Sequence, residues 1–357
     1  MSSAERVIGW DIGGAHMKAA LVERGVVIDV MQVPCTLWLG LDTIDGALAS
    51  VQARWPSMRD AHHAVTMTGE MVDLFADREA GVTALVEHLV QLLGVHVWFF
   101  AGSDWLEPAA AIHDWQRVAS ANWLASAACV ALRLDEALLI DIGSTTTDVV
   151  PVRRGRVVAR GRGDAARLET GELVYQGVVR TPLCALAQRV HFGDRACNVM
   201  NEWFATAADV YRLTGELDTR FDQHDTADRR GKDRGATCAR LARMIGRDAR
   251  EADAAEWLDL AQVFRGAQLR LIEESVERVL AASALSVQAP VVAAGCGDFL
   301  AREIAQGLGR RCVDFDRLLG ATGDAARCTR ICAPSVAVAV LFSDHRRAEA
   351  ARLVCGS

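Results

Sequence analysis

Residues 7–18 read VIGWDIGGAHMK, and residues 138–148 read LLIDIGSTTTD. An offset of 130 residues aligns the two stretches and pairs Asp11 with Asp141, Gly13 with Gly143, and Lys18 with Asp148. Each copy starts with a short apolar run, which predicts a strand buried on both faces. The run ends in Asp-Ile-Gly, where glycine permits a tight turn. A repeat at this spacing predicts two domains built on one plan.

Both copies continue in the same way after the glycine loop. A second β-rich run covers residues 19–22 in the first copy and 149–152 in the second. Arg24-Gly25 and Arg154-Gly155 then predict hairpin turns into a third strand. Each half therefore begins as a three-stranded meander, with a loop rich in glycine, serine or threonine between its first two strands.

Helical and strand patterns alternate after each meander, so the fold class is α/β. We predict strands at residues 64–68, 95–100 and 290–294. We predict helices at residues 41–55, 79–93, 119–134, 238–245, 258–282, from 299, and 335–353. The expected domains are residues 1–134 and 135–334, with the last helix packing back on the first domain.

Composition sets limits on function. The chain has 357 residues, 51% hydrophobic and 24% charged, which is typical of a globular protein. Its net charge of −7 disfavours a protein that coats nucleic acid or an anionic membrane, and small-molecule substrates are the expected partners. The start of the chain lacks a signal-peptide pattern, and no apolar stretch is long enough to span a bilayer, which predicts a cytoplasmic protein. Homo-oligomer formation is compatible with these features.

Residues 216–236 are dense in charge and predict a solvated surface insertion. An alternative interpretation is a divalent-cation site, which the sequence would build from Asp222, His224, Asp225 and Asp228. The ten cysteines contain no Cys-x-x-Cys pair, which argues against a zinc site.

The glycine loops suggest phosphate chemistry. Two such loops facing one another across a cleft would present backbone N–H groups and hydroxyls to a phosphate chain. Asp11 and Asp141 would then position Mg²⁺, which prefers carboxylate oxygens. A third loop, Gly295-Cys296-Gly297-Asp298, follows a later apolar strand and would let a planar group lie against its backbone.

The three loops in this order resemble the actin-like ATPase superfamily, which includes sugar kinases, heat-shock ATPases and acetate kinase. The two Asp-x-Gly loops look like its two phosphate motifs, and Gly295-Cys296-Gly297 looks like its adenosine motif. The resemblance implies two related α/β domains, of the ribonuclease H-like kind, flanking a central cleft.

A narrower resemblance is to the hydantoinase/oxoprolinase branch, carried by residues 141–148. Further segments resemble one subgroup of that branch: residues 10–16, 67–70, 121–123, 171–182, 204–211 and 226–228. This subgroup is linked to tetrahydromethanopterin-dependent one-carbon transfer and is similar to an archaeal enzyme of methanofuran biosynthesis. The resemblance implies a transferase that displaces diphosphate from an (aminomethyl)furan-methyl diphosphate. The acceptor would be the phenol of a gamma-glutamyltyramine or tyrosine-type molecule.

The candidate site follows from these expectations. Asp11 and Asp141 would hold the metal, and Lys18 would neutralise the diphosphate as a point charge. His16, Asp148 and Glu172 are candidates for the base that accepts the phenolic proton. The residues expected to bind the diphosphate are Gly13, Gly14, Gly143, Ser144, Thr145, Thr146 and Arg180.

Two alternatives remain open at this point. One is an ATP-dependent small-molecule kinase or a ring hydrolase of the hydantoinase/oxoprolinase kind, and the other is a non-catalytic nucleotide-binding protein. Ala15-His16 stands where sugar kinases usually have a threonine, and no isolated aspartate motif for deprotonating a sugar hydroxyl is present. Both departures disfavour ordinary phosphorylation, and ATP binding stays an open alternative.

Overall fold

A computed structural model describes residues 6–355 of the chain, the last three of them by backbone alone. The strands are β1 Arg6–Ile12, β2 His16–Glu23, β3 Val26–Pro34, β4 His62–Met67, β5 Val97–Phe100, β6 Trp105–Leu106, β7 Glu136–Ile142, β8 Thr147–Arg153, β9 Arg156–Val157, β10 Leu173–Val174, β11 Arg189–Phe192, β12 Arg195–Asn198, β13 Val291–Ala294 and β14 Cys312–Asp314. The helices are α1 Asp42–Arg54, α2 Arg78–Leu93, α3 Pro108–His113, α4 Trp115–Val118, α5 Asn122–Ala131, α6 Asp164–Thr170, α7 Ala207–Thr214, α8 Arg234–Arg243, α9 Ala254–Ser283, α10 Asp298–Gly307, α11 Phe315–Leu318, α12 Asp324–Ile331 and α13 Ala333–Cys355.

The chain divides into two compact units. Unit 1 comprises Met1–Ala137, Val152–Val158 and Val313–Ser357, and unit 2 comprises Leu138–Pro151 and Ala159–Cys312. The first boundary lies three residues beyond the expected one at residue 134. The end of the chain, including α11, α12 and α13, belongs to unit 1. Each unit has an α/β fold with its own sheet.

Unit 1 is a three-layer structure. Its sheet has the order β3-β2-β1-β4-β5-β6, with β1 antiparallel to β2 and parallel to β4. Alternate residues of β1, Ile8, Trp10 and Ile12, are buried in one core with residues of α1 and α2. The opposite face of β1 receives α13, and a side chain at Gly9 would overlap the Ser335 carbonyl and Ala339.

Unit 2 is built around a second sheet, with the order β10-β8-β7-β13-β14. Strand β13 runs parallel to β7, with Ala294 opposite Asp141. The 30-residue helix α9 packs against α7 and α8, and β11 and β12 form a separate hairpin. The first strand of each predicted meander thus lies next to a parallel strand from later in its own half.

The repeat predicted from sequence is present in the backbone geometry. Arg24 and Gly25 have positive φ angles of 53° and 79°, and Arg154 and Gly155 have 54° and 61°. Two consecutive positive φ values are typical of the type I′ turn of a tight hairpin. The third strand of the second copy is much shorter than predicted, because β9 has only two residues.

Some predicted helices have different ends. The helix predicted at residues 119–134 is shorter, because α5 covers only Asn122–Ala131. Ser120, just before it, has a positive φ of 50°, which helices exclude. Helices α8 and α9 start four residues earlier than predicted, because the side chains of Asp233 and Asp253 cap them. The predictions omitted α3, α4, α6, α7, α11, α12, β6, β10, β14 and the β11–β12 hairpin.

Within residues 6–355, no single helix is both long and apolar enough to span a membrane. The bent pair Asp324–Ile331 and Ala333–Arg352 passes that length and composition test only when its two helices are taken together.

Candidate functional site

The first glycine loop, residues 13–16, joins β1 to β2 in unit 1. The Gly13 N–H donates to the His16 carbonyl at 3.0 Å, which closes the loop. His16 is buried at the start of β2. A side chain at Gly14 would press against Val72, so this loop position favours glycine for space. The predicted loop residues Gly13, Gly14 and His16 therefore form one tight turn at the end of β1.

Asp11 and Lys18 lie opposite one another on β1 and β2. Lys18 Nζ donates to Asp11 Oδ2 at 3.1 Å, and only 2% of Asp11 is exposed. The other carboxylate oxygen, Asp11 Oδ1, is buried and has no hydrogen-bond partner among the described residues. An oxygen in that state fits a hard cation such as Mg²⁺, which takes carboxylate ligands.

A second segment, residues 68–70, packs against the first loop. The Thr68 N–H donates to the Ile12 carbonyl at 2.9 Å, and Gly69 lies directly against Ile12 and Gly13. Glu70 is 1% exposed, and its Oε1 accepts a 2.8 Å hydrogen bond from Ser120 Oγ. Glu70 is not among the predicted site residues, although residues 67–70 and 121–123 carry the subgroup resemblance. The Ser120–Glu70 bond joins these two segments.

The second glycine loop, residues 143–146 in unit 2, reproduces the first. The Gly143 N–H donates to the Thr146 carbonyl at 2.8 Å, which is the bond between Gly13 and His16 shifted by 130 residues. The Gly297 N–H donates to the Ile142 carbonyl at 2.8 Å, as Thr68 does to Ile12. The third loop therefore has the same place in unit 2 that residues 68–70 have in unit 1.

The third loop also lies against Asp141. Gly295 has a φ of +83°, and a side chain there would collide with Asp141 Oδ1 and the Ile142 carbonyl. Cys296 is buried beside it. Asp298 begins α10, and its Oδ2 accepts a 2.6 Å bond from Arg302. The structure thus brings Asp141, the second loop and the third loop together within unit 2.

Asp148 and Glu172 meet through a buried arginine. Arg167 is 1% exposed and donates to Asp148 Oδ1 at 2.8 Å and to the Glu172 carbonyl at 2.9 Å. The Glu172 carboxylate accepts from the N–H groups of Arg160 and Gly161 at 2.6 and 2.8 Å, and from Thr170 Oγ1 at 3.0 Å. The oxygens of this carboxylate are therefore occupied by three hydrogen-bond donors. We therefore assign Glu172 a structural role in place of the predicted base.

Arg180 lies beside the second loop, because its backbone N–H donates to the Ser144 carbonyl at 2.9 Å. Its side chain is exposed. His224 of the charged insertion is close enough to be affected by it. Burial first, and then the charges of Arg180 and Lys232, lower the pKa of His224 to about 4, so this imidazole is neutral at pH 7. From the sequence, His224 is predicted only as a metal ligand of the alternative cation site.

The cation site considered for the insertion is not formed. Among residues 6–355, no cluster of three or more His, Cys, Asp or Glu side chains could hold a metal ion. Asp222 instead accepts two bonds from Arg212, at 2.6 and 2.7 Å, and Asp228 accepts from Arg240 at 3.1 Å. Arg240 is fully buried and also bonds Asp209 at 2.8 Å. The insertion is therefore anchored to unit 2 by ion pairs.

The chain is similar to known proteins in sequence and in fold. The hydantoinase/oxoprolinase family model matches residues 61–338. The chain is 29% identical, over 76% of its length and 81% of the relative's, to the (4-{4-[2-(gamma-L-glutamylamino)ethyl]phenoxymethyl}furan-2-yl)methanamine synthase of Methanocaldococcus jannaschii. It is 32% identical to the synthase of the same name from Methanococcus vannielii, over 40% of this chain and 64% of that one.

Among solved structures, a nucleotide-free acetone carboxylase is similar with a TM-score of 0.58 and 11% identity. The match covers 94% of this chain and 70% of that one. At this identity the likeness concerns the fold alone, and it supports the expected two-domain actin-like architecture.

Proposed function

The chain belongs to the hydantoinase/oxoprolinase family, and from that premise we propose that it is an ether-forming transferase of methanofuran-type cofactor biosynthesis. It is an enzyme, as its curated relatives are synthases. The proposed substrates are an (aminomethyl)furan-methyl diphosphate and a gamma-glutamyltyramine or tyrosine-type phenol. The observation that carries the proposal is the 29% identity over 76% of the chain to a synthase named for such an ether.

The bond changes of the proposed reaction balance without a further reactant. The phenol oxygen forms a bond to the furan-bound methylene carbon, and the bond from that carbon to the diphosphate oxygen breaks. The diphosphate leaves with the electron pair, and the phenolic proton goes to a base. The furan oxygen can share positive charge at the carbon, so catalysis is mostly positioning and leaving-group stabilisation.

The second loop has the features that a leaving diphosphate needs. Backbone N–H groups in a tight glycine loop form a concave site for anions. Ser144, Thr145 and Thr146 add hydroxyls, and Arg180 adds a cation at the same loop. In this proposal these groups bind the diphosphate together with Gly143. Gly13 and Gly14, with Lys18, form the corresponding candidate anion site of unit 1.

The proposed metal ligand of unit 1 is Asp11, and that of unit 2 is Asp141. The buried Oδ1 of Asp11, which has no hydrogen-bond partner among the described residues, supports this assignment. A bound Mg²⁺ would neutralise charge on the leaving diphosphate. The phenol has an unperturbed pKa of ~10, so a base is also required. His16 and Asp148 are the remaining candidates for that base.

The test is a product assay by mass spectrometry. The purified protein is incubated with Mg²⁺ and the furan-methyl diphosphate, with gamma-glutamyltyramine in one arm and tyrosine in a second. A third arm contains ATP alone. We expect an ether product and one equivalent of released diphosphate without ATP. Formation of ADP with no ether would overturn the proposal and favour the kinase or ring-hydrolase alternative. Tight ATP binding with neither product would favour a non-catalytic protein.

A further inference from the structure

Residues 176–181, which we call the strap, form backbone hydrogen bonds with the second loop. The N–H of Val178 donates to the Gly143 carbonyl at 3.0 Å. The N–H groups of Val179 and Arg180 both donate to the Ser144 carbonyl, at 3.1 and 2.9 Å. Two successive carbonyls of the loop are therefore fixed by backbone bonds to the strap.

This fixation determines where the loop N–H groups point. A trans peptide is planar, so its C=O and N–H point in opposite directions. Since the Gly143 and Ser144 carbonyls face the strap, the N–H groups of Ser144 and Thr145 face away from it. These N–H groups are the donors that a glycine-loop anion site uses. The strap thus sets the orientation of the proposed diphosphate donors.

Gly177 is the position at which the strap is closest to the loop. A side chain there would overlap Ser144 and Thr145. The Gly177 N–H donates to Thr181 Oγ1 at 2.8 Å, and the Thr181 hydroxyl donates back to the Gly177 carbonyl at 3.0 Å. The same carbonyl accepts a 3.0 Å bond from Gln268 Nε2.

Gln268 is oriented in turn by Tyr211. Both side chains are fully buried, and Tyr211 Oη donates to Gln268 Oε1 at 2.7 Å. Burial raises the pKa of Tyr211, so its hydroxyl stays protonated and acts as a donor. A donor at Oε1 fixes the amide so that Nε2 faces Gly177. Tyr211 lies in residues 204–211 and Gly177 in residues 171–182, two segments that the sequence had singled out without assigning a role to either residue.

We propose that Tyr211 and Gln268 are positioning residues that hold the strap and, through it, the anion-binding N–H groups of the second loop. Gln268 bonds the strap at Gly177, so the two residues act on the loop through Gly177. The assignment of diphosphate as the ligand rests on the proposed function. The mechanical coupling of Tyr211 to the loop does not depend on that function.

The test uses Tyr211→Phe, which removes only the hydroxyl, and Gln268→Met. Inorganic pyrophosphate with Mg²⁺ is titrated calorimetrically, and amide hydrogen exchange is followed for residues 143–147 in the free protein. We expect each variant to weaken pyrophosphate binding about tenfold, which corresponds to ~1.4 kcal/mol, and to speed exchange in the loop. The KM for the diphosphate donor should rise, while the KM for the phenol stays unchanged.

Trp257→Phe is the matched control. This substitution removes the Nε1–H group of Trp257, which donates a hydrogen bond to the Ala249 carbonyl. Trp257 is buried on the same helix, α9, as Gln268. It lies eleven residues, about 16 Å along the helix, from Gln268. It should lower the melting temperature by a similar amount but leave pyrophosphate binding and loop exchange at wild-type values.

The double variant provides a second check. If the two residues act as one relay, Tyr211→Phe with Gln268→Met should weaken binding no more than the stronger single change. Wild-type pyrophosphate affinity and loop exchange in both single variants would overturn the proposal. If no ether forms with the wild-type protein but the loop exchange still changes, the proposed function fails while the positioning role stands.

Discussion

Asp11 and Asp141 occupy matching places in the two copies of the repeat, but their surroundings differ. Asp11 faces Lys18 across β1 and β2. The residue that matches Lys18 in the second copy is Asp148, of opposite charge, and Arg167 supplies the missing cation from α6. A repeat can therefore keep its backbone while its charges are rearranged.

We expect Asp141→Asn to lower kcat/KM for ether formation by roughly 100-fold, as is usual when a group that stabilises developing charge is lost. The substitution keeps the size and removes the charge that would hold the cation. The measurement is steady-state kinetics at saturating Mg²⁺, with the melting temperature checked in parallel.

Asp194→Asn is the control for Asp141→Asn, because it removes an exposed carboxylate from the β11–β12 turn of the same unit. It should retain wild-type kinetics. Turnover of the Asp141 variant within a few-fold of wild type would mean that the active site has been misplaced.

At the scale of single residues, the sequence pointed to the loops but not to their supports. The Asp-x-Gly pattern repeats visibly, so Asp11, Gly13, Asp141 and Gly143 could be singled out. Gln268 could not, because a glutamine within an amphipathic helix has no distinguishing pattern. Its role depends on a bond to Gly177, 91 positions away.

At the scale of elements, hydrophobic periodicity predicted most of the long helices and the central strands. It failed where a local side-chain bond sets the boundary, as at the caps of α8 and α9. It also missed short elements such as β10 and α6, because a few residues do not establish a period. Periodicity also does not predict that α13 packs so closely on β1 that position 9 has no space for a side chain.

Gly9→Ala should destabilise the protein by about 1–3 kcal/mol, the usual range for overpacking. The added methyl would meet the Ser335 carbonyl and Ala339 of α13. The measurement is the free energy of unfolding in urea.

Gly46→Ala is the matched substitution for Gly9→Ala. Gly46 lies in the interior of α1, and a methyl there would meet no atom within 4 Å. It should stabilise the protein by about 0.5–1 kcal/mol, since glycine is unfavourable inside a helix. Equal effects of the two substitutions would show that α13 does not pack on β1 as described.

At the scale of the whole molecule, buried histidines couple the stability of unit 1 to pH. His63 lies on β4, and its Nδ1 accepts a 3.1 Å bond from Trp10 Nε1. Burial, assisted by His62 and His96, lowers the pKa of His63 to about 3. The unfolded chain has an ordinary histidine pKa of ~6.5, so it binds this proton at a higher pH than the folded protein does. Stability is therefore lost as the pH falls below about 6.5.

When the pH is lowered from 7 to 5, the unfolded chain takes up a proton on His63 and the folded protein does not. The unfolding free energy of the wild-type protein should therefore fall by about 2 kcal/mol through this residue. His63→Asn keeps a hydrogen-bond acceptor for Trp10 but cannot take up the proton. Over the same pH change, the unfolding free energy of the variant should fall by about 2 kcal/mol less than that of the wild-type protein. The measurement is urea unfolding of both proteins at pH 7 and at pH 5. The same pH dependence in both proteins would contradict the assignment.

The sequence by itself determined the plan of this protein: two copies of a strand–loop–strand unit, an α/β class and the glycine loops at the strand ends. These features depend on residues close together in the chain, where spacing and residue type are sufficient. Only the tertiary structure decided which groups support those loops. Glu172 is engaged by backbone N–H groups, Arg167 compensates Asp148, and Gln268 holds the strap. Glu172 and Asp148 each bond groups more than ten residues away, and Gln268 bonds Gly177 from 91 positions away, so folding alone brings these partners together.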